Sequence, residues 1–367
     1  MTARVRLNEY LRHPWIGTGN QRDAPPECNS GILISSMMTR PSGRSVETTA
    51  ESAPVSVQIV RVPEDRDGQR IDNFLTTRLK GVPRSLIYRI LRTGQVRING
   101  KRAKPDHRLA ADDEVRIPPV RVPEPTDHGT PADGQLNRIE QAIIHEDRDF
   151  LVLSKPSGVA SHGGSGISFG AIELLRAARP RDTLELVHRL DRDTSGVLVF
   201  SRRRSALTGL QAEIRDGRAS KGYVALVRDY LPKPILTVNA PLLKSVMQGG
   251  ERMVRVDPDG KQSISHLREA TRFDGASLID VSIETGRTHQ IRVHCAHVGN
   301  PIGGDEKYGD REFDKRIRDR AGLKRLFLHA ARFAFDLKDR HFEFVAPLPD
   351  DLDKVLKRLS SEVAASG

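Results

Sequence analysis

Asp191 and Asp193 lie in the stretch His188-Arg189-Leu190-Asp191-Arg192-Asp193-Thr194-Ser195-Gly196, interleaved with Arg189 and Arg192. Guanidiniums this close can hold a carboxylate ionised and oriented through paired hydrogen bonds. An ionised, positioned Asp can attack a carbon. The plainer alternative is that both Asp side chains only cap a turn beside their arginines. A second group follows a hundred residues later, where a strand delivers Arg287 to a helix start and places His289 and Arg292 within the first turn. That arrangement makes an anion site of phosphate or carboxylate type. Tyr223, in Lys221-Gly222-Tyr223-Val224-Ala225-Leu226-Val227, alternates with Ala225 and Val227, a pattern that by itself favours a buried core tyrosine. His289, His294, Cys295 and His297 contain no i, i+4 histidine pair, so no metal site is expected.

These side chains need elements to hold them. Residues 184–187 and 197–200 are short Leu- and Val-rich runs that read as buried strands, so the charged loop is anchored at both ends. Ile279, Val281 and Ile283 alternate with Asp280, Ser282 and Glu284 as a half-buried strand running into Thr285-Gly286-Arg287. Thr288 is the expected cap of the helix that follows, with Ile291, Cys295 and Val298 on its core side. Ser205 is the expected cap of another, carrying Leu207, Leu210 and Ile214. Residues 143–147 and 150–153 form a strand pair leading into Lys155-Pro156-Ser157-Gly158 and the glycine-rich segment 161–166. That segment lacks the Gly-Lys-Ser/Thr and dinucleotide spacings of phosphate loops, so its glycines are read as allowing close backbone approach, with Lys155 and His162 at the edge. Closing strands fall at 326–329 and 342–345, and Leu352, Val355, Leu356 and Leu359 mark a terminal helix. Helices and strands interleave without regular βα alternation, which predicts an α+β domain on a mixed, largely antiparallel sheet.

Upstream, the texture differs. Residues 1–54 mix Pro, Ser, Thr, Gly and Arg without apolar periodicity and read as a disordered extension. From Val57 a strand leads to two amphipathic helices, one with Ile71, Phe74, Leu75 and Leu79, the other capped by Ser85 and carrying Leu86, Ile87, Ile90 and Leu91. Val96-Arg97-Ile98, the turn pair Asn99-Gly100 and a strand at 114–117 complete a small unit. Between Arg70 and Lys104 stand seven Arg and three Lys against one acid, Asp72. An ordinary solvated face alternates its signs, so this one is read as an anion-binding surface. Five prolines between 118 and 131 make a semi-rigid linker.

The 367 residues suffice for two domains, and 37% hydrophobic content fits a globular protein. A net charge of +11 points to nucleic acid as partner, apolar runs are too short for a membrane span, and two cysteines suggest a reducing compartment, the cytoplasm by default.

Residues 70–75, 88–92 and 96–101 resemble the small S-four-like (αL) RNA-binding domain. That resemblance implies that Arg84, Arg89 and Arg92 lie against phosphates of structured RNA, positioning it without reading sequence. The 188–196 loop, Lys221-Gly222-Tyr223-Val224-Ala225 and Thr285-Gly286-Arg287-Thr288-His289-Gln290-Ile291-Arg292-Val293-His294, with Leu328-His329-Ala330, resemble the RluA family of pseudouridine synthases, most of all its RluC branch, which acts on large-subunit ribosomal RNA. The resemblance implies that Asp191 works at the sugar, Arg292 pairs with it, Tyr223 packs on the uracil and Arg189 fills the gap left by the flipped base. Arg192, Arg287 and Lys155 are implied as further RNA or supporting contacts. It implies neither cofactor nor metal, and a monomer acting on ribosomal RNA away from any membrane. The expected organisation is 1–54 extension, 55–118 RNA-binding domain, 119–137 linker, 138–360 catalytic domain and 361–367 tail. Two other readings share parts of the pattern: an assembly protein that binds ribosomal RNA without chemistry, and a glycosidase using Asp191 and Asp193. The second is disfavoured because two carboxylates on one loop do not flank a sugar.

Overall fold

The structure, a computed structural model, describes residues 56–79, 82, 84–120, 130–164, 167–246 and 252–365. The amino-terminal extension, most of the linker and Ser165-Gly166 lie outside those residues. The chain divides into two units on either side of Gly129 and Thr130.

The first unit contains β1 (Gln58–Arg61), α1 (Ile71–Arg78), α2 (Arg84–Arg92), β2 (Arg97–Ile98), β3 (Lys101–Arg102) and β4 (Glu114–Ile117), with sheet order β1-β4-β2-β3. Ile71, Leu75, Ile87, Leu91, Val115 and Ile117 share one core. Asn99 and Gly100 both take positive φ, 47° and 77°, the backbone that a two-residue turn between β2 and β3 demands. Helix α2 starts at Arg84, so Ser85 lies inside its first turn rather than capping it.

The second unit runs through α3 (Asp133–Gln141), β5 (Ile143–Glu146), β6 (Phe150–Lys155), α4 (Ala171–Ala178), β7 (Glu185–Leu186), β8 (Ser195–Ser201), α5 (Arg204–Arg215), β9 (Ser220–Arg228), β10 (Ile235–Asn239), β11 (Leu242–Val246) and β12 (Arg252–Val256). It continues through β13 (Ile264–Phe273), β14 (Ala276–Ile283), α6 (Gln290–His297), α7 (Arg311–Ala321), β15 (Leu328–Leu337), β16 (Arg340–Val345) and α8 (Asp350–Ala365). Its ten-stranded sheet has the order β10-β13-β14-β9-β15-β8-β6-β5, with β16 on β15 and β7 on β8, while β11 and β12 form a separate hairpin. All the pairings are antiparallel except β15 with β8. The fold is therefore α+β on a mixed, mostly antiparallel sheet, as the irregular alternation predicts. No described helix is long and apolar enough to cross a membrane.

Central strand β9 is buried on both faces. Tyr223, Ala225 and Val227 join Leu198, Val281 and Ile291 in one core, and Val224 and Leu226 join Leu278, Phe313 and Leu356 in another. Strand pairing sets one transverse row: Lys155 on β6, Gly196 on β8, Ala330 on β15, Tyr223 on β9 and Val281 on β14. Gly196 has φ 114°, and a Cβ there would stand 2.1 Å from the Ala330 carbonyl oxygen, so only glycine lets β8 approach β15.

Candidate active site

The 188–196 loop is held largely through its backbone carbonyls and amides. Ser161 Oγ donates to the Leu190 carbonyl at 2.8 Å and accepts from the Leu190 amide at 2.9 Å. Ser157 Oγ donates to the Asp193 carbonyl at 2.8 Å, and the Gly158 amide donates to that of Arg192 at 2.9 Å. Lys155, fully buried, donates to the carbonyls of Pro156, Val159 and Arg192 at 3.0, 2.6 and 3.0 Å. Lys155 is thus a clamp under the loop, the supporting one of the two roles that the sequence leaves open for it. Burial pushes its ammonium down to about 7, against the pull of Asp193 and Asp191. His188 accepts from the Val199 amide at 3.2 Å and stacks on Phe333 with ring centres 4.8 Å apart, so it too supports the loop.

Asp191 enters the turn at Arg192-Asp193 with its side chain 27% exposed. Arg292 approaches it from α6, Nη1 to Oδ2 at 3.8 Å, too long for a hydrogen bond. The close partner of Arg292 is Asp305, which takes Nε at 2.8 Å and Nη2 at 2.6 Å. Both side chains are buried. Burial works against the charge of each, but their mutual hydrogen bonds and attraction prevail, so Asp305 is held below the ordinary carboxylate value and Arg292 above the ordinary guanidinium one. Asp305 Oδ1 also accepts from the amides of Lys307 and Tyr308 at 3.0 and 3.1 Å.

Asp305 was missed by the sequence reading. Its signal is Gly303-Gly304 just ahead of it: Gly304 has φ 73°, and a Cβ there would meet the Arg325 carbonyl oxygen at 2.1 Å. A glycine held in that conformation at 304 marks the tight turn that delivers Asp305.

Helix α6 starts differently from expectation. Its N-cap is His289 in the left-handed region, φ 56°, and not Thr288. The turn is held instead by Gln290, whose Oε1 accepts from the Arg287 amide at 3.1 Å and Thr285 Oγ1 at 2.8 Å. His289 Nδ1 meets Tyr308 Oη at 2.8 Å, and that hydroxyl accepts from the Val254 amide at 3.0 Å. Burial, with Arg292 and Lys307, holds His289 below its ordinary value against the pull of Asp191 and Asp305. Ser205 likewise is not a cap, since α5 begins at Arg204 after Arg203. His294 bonds Ser265 Oγ and the Ala240 carbonyl, Cys295 is buried in the core and His297 is exposed, so these side chains diverge.

Asp191, Tyr223, Arg292 and Arg189 line one recess of about 80 Å³, with Ile283 and Leu328 as apolar walls. Burial first, and then the charge of Asp191, push the Tyr223 phenol up and keep it protonated. Asp191, Tyr223, Arg189 and Arg287 also line a cleft of about 1090 Å³. The cations of that cleft are Arg189, Arg192, Arg215, Lys221, Lys244 and Arg287, and its acids are Asp191 and Glu284. Arg189 and Arg287 are exposed. Arg192 turns to Asp193, Nε to Oδ1 at 2.9 Å, which leaves Asp193 neutralised away from Asp191.

In the first unit, Asp72 is 6% exposed. It accepts from Arg70 at 3.1 and 2.7 Å and from Tyr88 Oη at 2.8 Å, so it ties α1 to α2. It leaves the outer cations uncompensated: Arg78, Arg89, Arg92, Lys101, Arg102 and Lys104 are all exposed. The side chain of Arg84 lies outside the described residues.

Residues 149–297 match the family model described as RNA pseudouridylate synthase, and residues 69–115 match the S4 domain. The chain is 51% identical over 309 residues to ribosomal large subunit pseudouridine synthase C of Escherichia coli (strain K12), covering 83% of this chain and 97% of that protein. It is 48% identical over 321 residues to the protein of the same name from Haemophilus ducreyi, covering 86% and 99%. Among solved structures, human RNA pseudouridylate synthase domain containing 4 matches with TM-score 0.52 and 23% identity, over 61% of this chain and 95% of that one, a likeness of fold.

Proposed function

The chain belongs to the RNA pseudouridylate synthase family, and we propose that it isomerises specific uridines of large-subunit ribosomal RNA to pseudouridine, with Asp191 as the group that acts at the sugar. The reaction exchanges the C1′–N1 bond for a C1′–C5 bond; C5 loses a proton and N1 gains one. No electrons are transferred, so the chemistry asks for a positioned carboxylate, a place for the detached uracil to turn and a route for one proton.

The observation that carries the reading is the convergence of Asp191, Tyr223 and Arg292 on one small recess beside a cationic cleft. Extruding a base costs a few kcal/mol, less from a loop than from a helix, and Arg189 at the mouth can occupy the vacated stack. Tyr223 supplies an aromatic face to the uracil. In a route through an Asp191–sugar ester the carboxylate charge disappears, and with it part of what keeps the Tyr223 phenol protonated. That change favours phenol participation at the step where the C5 proton leaves. Arg287 and Arg192 extend the cationic lining toward the RNA backbone, and Arg84, Arg89 and Arg92 hold structured RNA through phosphates. The reading takes 55–118 as the RNA-binding domain, joined through 119–137 to a catalytic domain of 138–360, working as a monomer in the cytoplasm.

Single-turnover assay of Asp191→Asn on ribosomal RNA tests it. Pseudouridine formation is abolished while RNA affinity stays within a few-fold of wild type; retained turnover overturns the assignment. A wild-type protein that binds ribosomal RNA and converts none would instead be an assembly protein.

A further inference from the structure

Two residues before Tyr223, and on the same face of β9 by strand alternation, Lys221 points into the cleft. It is 8% exposed. Among the described residues no carboxylate, hydroxyl or carbonyl takes up its ammonium, whereas buried Lys155 satisfies three carbonyls. Burial pushes the Lys221 ammonium below the ordinary lysine value, and no acid offsets the effect. A desolvated cation without a counter-charge is costly, so a fold that keeps one facing its cleft holds it there for a ligand.

The surroundings say which kind. The Lys221 ammonium lies 3.9 Å from where a Cβ on Gly286 would stand, and among the described residues, its chain neighbours aside, nothing else would come within 4 Å of that Cβ. The loop between β14 and α6 therefore leaves a gap beside the charge. A uracil carbonyl offers only a dipole, whereas a phosphodiester brings the full negative charge that this site lacks. We propose that Lys221, through the gap left by Gly286, binds the phosphodiester adjacent to the target uridine and so seats that nucleotide over Asp191. Lys221 is then a substrate-binding residue for the flipped nucleotide, distinct from Arg189 in the vacated stack.

The inference rests on the uridine-isomerisation reading above. Its test uses a ligated fragment of large-subunit ribosomal RNA carrying a uridine that the wild-type protein converts, made with either native phosphates or one uncharged methylphosphonate flanking that uridine. With the wild-type protein the neutral linkage raises KM about tenfold and changes kcat less. Lys221→Met raises KM for native RNA by a similar factor and removes the penalty of the neutral linkage; Lys221→Arg restores most of the affinity. Gly286→Val, which leaves Lys221 in place and closes the gap, reproduces the Lys221→Met pattern and stands in for it if that variant misfolds. A methylphosphonate penalty that persists in Lys221→Met or Gly286→Val, or a loss confined to kcat, overturns the inference. Failure of the wild-type protein to form pseudouridine in native RNA refutes the functional reading instead.

Discussion

Arg292 donates two hydrogen bonds to Asp305, 2.8 Å from Nε and 2.6 Å from Nη2, and keeps only Nη1 for Asp191 at 3.8 Å. The guanidinium is therefore fixed by a residue that has no place in the recess, before any substrate arrives. Asp191 meets a preset positive charge without being tied to it. In the proposed reaction that leaves it free to reach a sugar carbon, which a two-point ion pair with Arg292 would prevent.

Asp305→Ala leaves a buried guanidinium half unpaired. Breaking such a pair costs about 3–5 kcal/mol of stability. Loosening Arg292 by an ångström lowers the rate by about a hundredfold with RNA affinity little changed. Denaturant unfolding and single-turnover rates measure the two effects separately. Lost stability with a wild-type rate would show that Asp305 supports only the fold.

Lys155→Met removes the donor that the Pro156, Val159 and Arg192 carbonyls share and costs about 2 kcal/mol. Turnover falls because the 188–196 backbone slackens. The salt dependence of RNA binding stays as it was, since Lys155 meets no phosphate. A flattened salt slope would return it to the RNA surface.

Replacing Arg84, Arg89 and Arg92 together weakens RNA binding and flattens the plot of log affinity against log salt by about one unit of slope for each phosphate that is no longer neutralised. Filter binding across a salt series reads this directly. An unchanged slope would make the exposed cations of α2 a solubilising surface.

His329 sets a pH dependence of stability. Its Nε2 faces the Ala346 carbonyl at 3.1 Å and must donate, so Nδ1 accepts from Ser195 Oγ at 3.0 Å in the neutral tautomer. Burial depresses it from 6.5 to about 4. The unfolded chain therefore binds the proton more tightly than the folded one, and stability falls as pH drops from 6.5 toward about 4. The loss from this residue is about 3 kcal/mol. Unfolding free energies across that interval should decline for the wild type and less steeply for His329→Gln; parallel slopes would remove His329 from the account.

The residues that line the recess were legible because Asp191, Tyr223 and Arg292 sit in separate, closely patterned stretches, whereas strand alternation alone favoured a core tyrosine at 223. Helix starts were less so. Thr288, Ser205 and Ser85 have the composition of caps, but tertiary packing set the starts elsewhere, at His289 in a left-handed turn, at Arg203 and at Arg84. Asp305 was invisible because its role depends on a partner thirteen residues earlier that already had a plausible carboxylate in Asp191. For Lys155 the choice between an RNA contact and a supporting one stayed open, because sequence shows its charge and not its burial. The two-sided burial of β9 merged the core and functional readings of Tyr223, which is 9% exposed and lines the recess.

Strand β15 lies between β8, which carries Asp191's loop, and β9, which carries Tyr223. In chain order β15 comes about a hundred residues or more after both. A ribosome making this protein releases the two halves of the site early, with nothing to join them. Long-range pairing of this kind forms late and slowly. The recess is therefore complete only once the 328–337 segment has been made and has slotted into the middle of the sheet.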